Sequence, residues 1–347
     1  MLLRGLCAII CTVLLSACGG DSKEQNGDQG SDAAIEAEPG DSVERPEVAD
    51  DLNSEFTTYC RAQGESSDMA LISERVYGRN CTETQLNIED SEVLDLSGLG
   101  LSDLSALAYF AHLTHLNLAD NQVSDLTPIS NLPLVELNLK SGAISDVSPL
   151  ATVISLRSLN LEGNQISEIS ALSALTNLEV LLLNDNQLSD LSSIAELSEL
   201  RDLRFSDNQV SDLAPLSSLV AITNLEFKKN SVADLSPIGS LVALQEIQFD
   251  ENQVGDLSPL SGLSLLLFLE ADSNQITDLS PLLNLTNLDY VLVDNNAIES
   301  ITSAKGLEVR ALLSLRDNPL GSTIAKTEDN CPTDAETSSA VVGFCAS

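Results

Sequence analysis

The sequence predicts an α/β-type solenoid. A curved parallel β-sheet forms the concave face, 3₁₀ or short helical turns and loops form the convex face, and disulfide-closed caps seal the ends. Three observations lead there. An asparagine recurs every 22 residues at Asn164, Asn186, Asn208, Asn230, Asn252, Asn274, Asn296 and Asn318, with Asn121 ahead of them. The segment L-x-x-L-x-L precedes it each time, with occasional aliphatic or aromatic replacements. Beyond it the chain turns through Ser148-Pro149, Ser236-Pro237, Ser258-Pro259 and Ser280-Pro281.

One unit justifies each element. Leu178, Leu181, Leu183, Leu188, Leu191, Ile194 and Leu197 must all leave water, yet a single 22-residue turn has no interior. Stacked turns bury them against one another, and stability becomes a sum of repeat and interface contributions. The L-x-L segment forms a short strand, and successive strands pair at about 4.8 Å. The asparagine sits where the coil bends inward and satisfies backbone groups that would otherwise be buried alone. Gly142 takes its slot in one unit and Leu99 in the first. On the return leg, each Ser before Pro offers a capping hydroxyl with the proline at the first helical position. Acidic residues four past the marker, Asp125, Asp146, Glu168, Asp190, Asp212, Asp234, Asp256 and Asp278, read as a solvated edge beside those turns. A cation-holding ladder is the lesser reading.

The phrase L-x-x-L-x-L-x-x-N-x-L is the leucine-rich-repeat signature, so residues 93–320 are assigned to an α/β-type leucine-rich-repeat solenoid. The period and the run Asn274-Gln275-Ile276-Thr277-Asp278-Leu279-Ser280-Pro281-Leu282 resemble the internalin family of bacterial surface proteins. That resemblance implies a concave sheet that docks protein ligands. It names no ligand.

Residues 1–17 read as a signal peptide. Arg4 supplies the positive region, and the apolar run Leu6–Leu15 is too short to span a bilayer as a helix. It ends in Leu15-Ser16-Ala17-Cys18, which resembles the lipobox of bacterial lipoproteins. That implies palmitate-type acyl chains on Cys18 and membrane attachment through lipid alone, with more than one chain needed for a stable anchor. Gly19, where an aspartate would favour the inner membrane, resembles the outer-membrane pattern. Residues 18–54 follow as an acidic tether, with eleven acidic and two basic residues between Asp21 and Ser54. Such a composition cannot offset chain entropy by burial, and about 35 random-coil residues span roughly 30–35 Å.

Residues 55–92 form the N-terminal cap and 321–347 the C-terminal cap. A helix is expected over 67–77, with Ser67 or Asp68 at its start and Gly78 as its stop. Met69, Leu71, Ile72 and Val76 would cover the first repeat. Four cysteines besides Cys18 remain after processing, Cys60, Cys81, Cys331 and Cys345. The two ends of the array lie on the order of 45–50 Å apart, while bridged Cα atoms must lie within about 7 Å. Only Cys60–Cys81 and Cys331–Cys345 meet that limit, each worth roughly 3 kcal/mol. Without C-x-x-C, and with His112 and His115 as the two histidines, no metal site is assigned and no cofactor is implied.

The chain carries 53 acidic and 16 basic residues, a net charge of −37 over 347 residues. Such a surface repels phosphate backbones, which argues against nucleic acid as a partner. No nucleophile, base and orienting group are singled out together, so no enzyme is expected. The concave sheet is the candidate surface. Its column six before the marker reads Val93, His115, Glu136, Ser158, Val180, Asp202, Asn224, Glu246, Phe268, Tyr290 and Leu312. The column four before reads Asp95, Asn117, Asn138, Asn160, Leu182, Arg204, Glu226, Gln248, Glu270, Leu292 and Ser314. With the columns two and one before the marker, these positions hold fifteen acidic and five basic residues. Phe268, Tyr290, Leu292 and Leu312 make an apolar anchor. Glu226, Glu246 and Glu270 favour a cationic patch on the ligand, and Arg204 is expected to pair with Glu226. The expected function is binding of a protein, with glycan as the lesser alternative and a divalent cation a minor one. A structural envelope spacer without a ligand is the rival.

Overall fold

The computed structural model describes residues 55–63, 68–76, 80–82, 84, 87, 91–300 and 306–320. Cys18, the signal and tether segments, and the expected Cys331–Cys345 bridge lie outside them. Eleven strands of three residues, β1 (Val93–Asp95), β2 (His115–Asn117), β3 (Glu136–Asn138), β4 (Ser158–Asn160), β5 (Val180–Leu182), β6 (Asp202–Arg204), β7 (Asn224–Glu226), β8 (Glu246–Gln248), β9 (Phe268–Glu270), β10 (Tyr290–Leu292) and β11 (Leu312–Ser314), pair in chain order. Every pairing is parallel and in register, Phe268 beside Tyr290 and Tyr290 beside Leu312. The sheet is open, and the return legs carry 3₁₀ turns such as Ser148–Thr152 and Ser258–Gly262.

The middle residue of each strand from β1 to β10 is buried while its neighbours face out. The seven aliphatic residues of the unit Leu178–Leu197 are all at most 1% exposed. Phe205, Phe227 and Phe249 replace leucine at one core position in three successive repeats. Their rings stack at 5.6 and 5.5 Å, each pair inclined by 12°.

The asparagine ladder takes the role its position requires. Asn252 Nδ2 donates to the carbonyls of Phe227 (2.9 Å) and Phe249 (3.1 Å). Its Oδ1 accepts from the Val232 N–H at 2.9 Å. The same carboxamide bridge recurs from Asn121 to Asn318. At Gly142 an added Cβ would come within 2.9 Å of Asn164 Oδ1, so glycine there admits the neighbouring amide.

Two local features differ from expectation. The serines do not cap the 3₁₀ turns. Each opens the turn, and its N–H donates to the acidic residue two positions earlier, as from Ser258 to Asp256 Oδ1 at 2.8 Å. The column Asp125 to Asp278 therefore accepts the first N–H of the turns, from one residue ahead of the aliphatic cap position. Side-chain and then backbone hydrogen bonds from Ser258 keep the Asp256 carboxyl below the ordinary aspartate range. The second feature precedes the marker, where the backbone turns left-handed in each repeat, from Asp120 (φ 57°) to Asp317 (φ 55°), with Gly98 and Gly163 in the same column. Asp, Asn and Gly tolerate that region best, which accounts for their density there.

Among the described residues the N-terminal cap carries the helices α1 (Glu55–Gln63) and α2 (Asp68–Arg75), with Cys81, Thr82, Thr84 and Asn87 also helical. Cys60 and Cys81 are bridged, with Cα atoms 5.8 Å apart. Met69 and Ile72 are buried, and Leu71 and Val76 pack against the core. Phe56 adds ring contacts to Phe110 at 5.2 Å and Tyr109 at 5.9 Å. Asp68 is not a free cap: its Oδ2 accepts the Ser102 N–H at 2.8 Å, tying α2 to the first repeat.

Asn252→Ala leaves buried carbonyls and an N–H without partners, at about 1–3 kcal/mol each. Urea denaturation should show a loss of about 3 kcal/mol or more, with Asn252→Asp giving little rescue because the donor is gone.

Candidate binding face on the sheet

The outward positions of β1–β11 coincide, residue by residue, with the two columns expected to face a ligand. Phe268 and Tyr290 meet at 5.8 Å between ring centroids, planes 47° apart. Leu312 follows on β11 and is 40% exposed, while Leu292 lies one strand over from Glu270. These four residues form one patch. Glu246 and Glu270 sit on β8 and β9 beside it. Arg204 and Glu226, on β6 and β7, lie farther along the sheet.

Arg204 reaches Glu226 as expected, but Asp202 is its closer partner. The guanidinium fork closes on Asp202 of its own strand, Nε–Oδ1 at 2.9 Å and Nη2–Oδ2 at 2.8 Å. Glu226 is a secondary contact at 3.9 Å. Side chains two apart on a strand share a face, and a bidentate fork outcompetes a longer single contact. The Asp202 bond is also the main cause that raises the guanidinium pKa. The depression lined by Arg204, Asn224, Glu226, Glu246 and Gln248 is shallow.

Lys228 makes a second charged knot. Its Nζ lies 3.0 Å from Asp250 and 2.8 Å from Glu270. Burial works against its charge, but the hydrogen bonds to Glu270 and Asp250 outweigh burial and raise its pKa. Asp250, Glu270 and Asp272 place one carboxylate oxygen each within 4.8 Å of the others. The ammonium already serves two of the three, so this cluster receives no metal assignment. Asp272 has no ion pair among the described residues. Burial, followed by the Asp250, Asp294 and Glu270 charges, pushes its carboxyl up to about 6 against the hydrogen bond from the Asp294 N–H.

His115 faces out and lies 3.7 Å from Glu136, with Thr114 Oγ1 2.8 Å from its Nδ1. His112 is exposed and apart from it. Sequence reasoning missed the Asp202 fork and the Lys228 knot, since both depend on which of several acids a flexible cation chooses. It also missed the phenylalanine stack, although Phe205, Phe227 and Phe249 already stood at the repeat interval.

The family model for leucine-rich repeats (two copies) matches residues 154–197 and 176–218. No curated protein matches the chain. Among solved structures, an internalin (inlF) of Listeria monocytogenes is similar at 29% identity and a TM-score of 0.63, covering 72% of this chain and 81% of that one. An internalin C2 of the same organism is 30% identical with a TM-score of 0.52, covering 65% of this chain and 91% of that one. The plant peptide hormone receptor RGFR1, in complex with RGF2, shares the fold at 21% identity and a TM-score of 0.57, covering 65% and 40%.

The native state holds the Asp272 proton more tightly than the unfolded chain, whose carboxyl keeps the ordinary 3.8. Its contribution to stability is therefore full below about pH 4 and lost as pH rises through about 6. Asp272→Asn should raise the melting temperature near pH 7.5 and flatten its dependence between about pH 4 and 6, measured by calorimetry.

Proposed function

The chain belongs to the leucine-rich-repeat proteins of internalin type, and from that premise we propose that it is a non-catalytic binding protein of the bacterial cell envelope. Its ligand is a protein held on the outward face of the sheet. The observation that carries this reading is the Phe268–Tyr290 pair, continued by Leu312, on an open sheet. Aromatic anchors surrounded by polar positions are the composition of a binding hot spot. The plant receptor's peptide complex supports the same use of the fold.

The acidic surroundings favour a ligand with a cationic patch, because opposite potentials speed encounter and penalise wrong partners. Glu246 and Asp272 have no ion pair among the described residues and remain open to such a patch. The lipobox-like Leu15-Ser16-Ala17-Cys18 supports attachment through acyl chains on Cys18, with the outer membrane as the favoured site. The acidic segment that follows would hold the repeats clear of the bilayer.

Replacing Phe268 and Tyr290 together by alanine should weaken partner capture from envelope extracts by about 30-fold or more, the effect of losing roughly 2 kcal/mol at a hot spot. The melting temperature should stay within a few degrees of the parent. Equal capture by both proteins would remove the anchor from the account.

A further inference from the structure

The outward face divides into two halves according to how one backbone N–H is satisfied. This N–H belongs to the residue two before the marker, just past the end of each strand. In the first four repeats the strand's own last residue accepts it. Asp95 Oδ1 takes the Ser97 N–H at 2.9 Å, Asn117 that of Ala119 at 3.1 Å, Asn138 that of Lys140 at 3.1 Å and Asn160 that of Glu162 at 3.0 Å. These polar side chains fold along their own strands, with an acceptor committed to the backbone.

The series stops at Leu182, which has no acceptor. Beyond it, at Ser206, Lys228, Asp272, Asp294 and Arg316, the oxygen comes from the preceding repeat. Asn184 Oδ1 accepts from Ser206 N at 2.7 Å and Ser206 Oγ from Lys228 N at 2.9 Å. Asp250, Asp272 and Asp294 then serve Asp272, Asp294 and Arg316 at 2.9, 2.7 and 2.6 Å. The last position of the strand is thereby released from backbone duty. Its residues change from an Asp/Asn series to Arg204, Glu226, Gln248, Glu270 and Leu292.

We propose that recognition is confined to β6–β11, that the polar face of β1–β4 is structural, and that the occupant of β6–β11 is a protein segment carrying an apolar side chain between basic ones. This rests on the binding reading above. The charge balance fits such an occupant. Arg204 closes on Asp202, and Lys228 on Asp250 and Glu270, so the two cations on β6 and just past β7 are consumed internally; Arg316, just past β11, is exposed at the far end of this half. Glu246, Asp272 and Asp294 are in no ion pair among the described residues and flank the aromatic pair; each carboxylate gives one oxygen to a hydrogen bond within the sheet, from Asn224 Nδ2, the Asp294 N–H and the Arg316 N–H, and keeps its second oxygen and its charge. An incoming lysine or arginine meets these carboxylates while its apolar neighbour packs on Phe268 and Tyr290.

The test uses the full mature chain, isotope-labelled, and a synthetic peptide with a leucine flanked by lysines. A second peptide has glutamates in place of the lysines. Backbone resonances should shift along β6–β11 and stay fixed along β1–β4, and the glutamate peptide should produce no shifts. Phe268→Ala should weaken lysine-peptide binding about tenfold or more. Asn138→Ala and Asn160→Ala should lower the melting temperature and leave peptide affinity unchanged. A footprint extending over β1–β4, or an Asn138→Ala protein that melts normally yet binds weakly, would overturn the division and leave the binding reading standing. Failure of the lysine peptide to bind the sheet at all would overturn both.

Discussion

A 22-residue coil of this chain cannot shield its own leucines. Leu178, Leu181, Leu183, Leu188, Leu191, Ile194 and Leu197 are all buried, yet one coil has no interior of its own to hold them. Water leaves only when the next coil lies on top. Stacking therefore follows from the hydrophobic effect acting on a fixed interval, and the open parallel sheet follows from stacking. Three aromatic rings in line at Phe205, Phe227 and Phe249 show the same constraint: a bulkier side chain fits when its neighbours in the stack grow with it.

Stacking creates a polar problem, because each coil must bend inside the protein and a bend interrupts the ladder of backbone hydrogen bonds. The carboxamide of each marker asparagine binds both coils at that point, and among the described residues no buried side-chain nitrogen or oxygen is left without a partner. Left-handed residues sit immediately before it, and acidic side chains close the 3₁₀ turns beyond it. Much of the acidic excess thus has backbone work. Asp256 and its equivalents hold turns, and Asp250, Asp272 and Asp294 hold the N–H of the following repeat. A count of carboxylates overstates the charge free to attract a ligand.

The parts of the fold legible in the sequence are those set by interval. The strand columns could be read to the residue because outward and inward positions alternate, and Cys60–Cys81 because distance forbids any partner at the far end. The serine caps were misread because a hydroxyl before proline suits that role in an isolated helix, whereas here the turn already begins at the serine, Val147 or Leu257 stands at the cap position, and the serine's own N–H goes to Asp146 or Asp256. Arg204 does reach Glu226 on the next strand, but Asp202 on its own strand, which offers both oxygens to the guanidinium, was not foreseen. Such choices depend on side-chain reach, which a repeat pattern does not encode. The candidate anchor was legible for the opposite reason: Phe268 and Tyr290 break a polar column, and a break in a repeat is visible without coordinates.

What remains after the backbone has been served is a sheet face with aromatic side chains in line and unpaired carboxylates beside them. A photo-crosslinking amino acid at position 292, within that face, and another at position 261, on a 3₁₀ turn, would test this most directly in intact cells. A discrete crosslinked partner is expected from position 292 and none from 261. Crosslinking from 261 alone, or the same partner from both with equal yield, would contradict it.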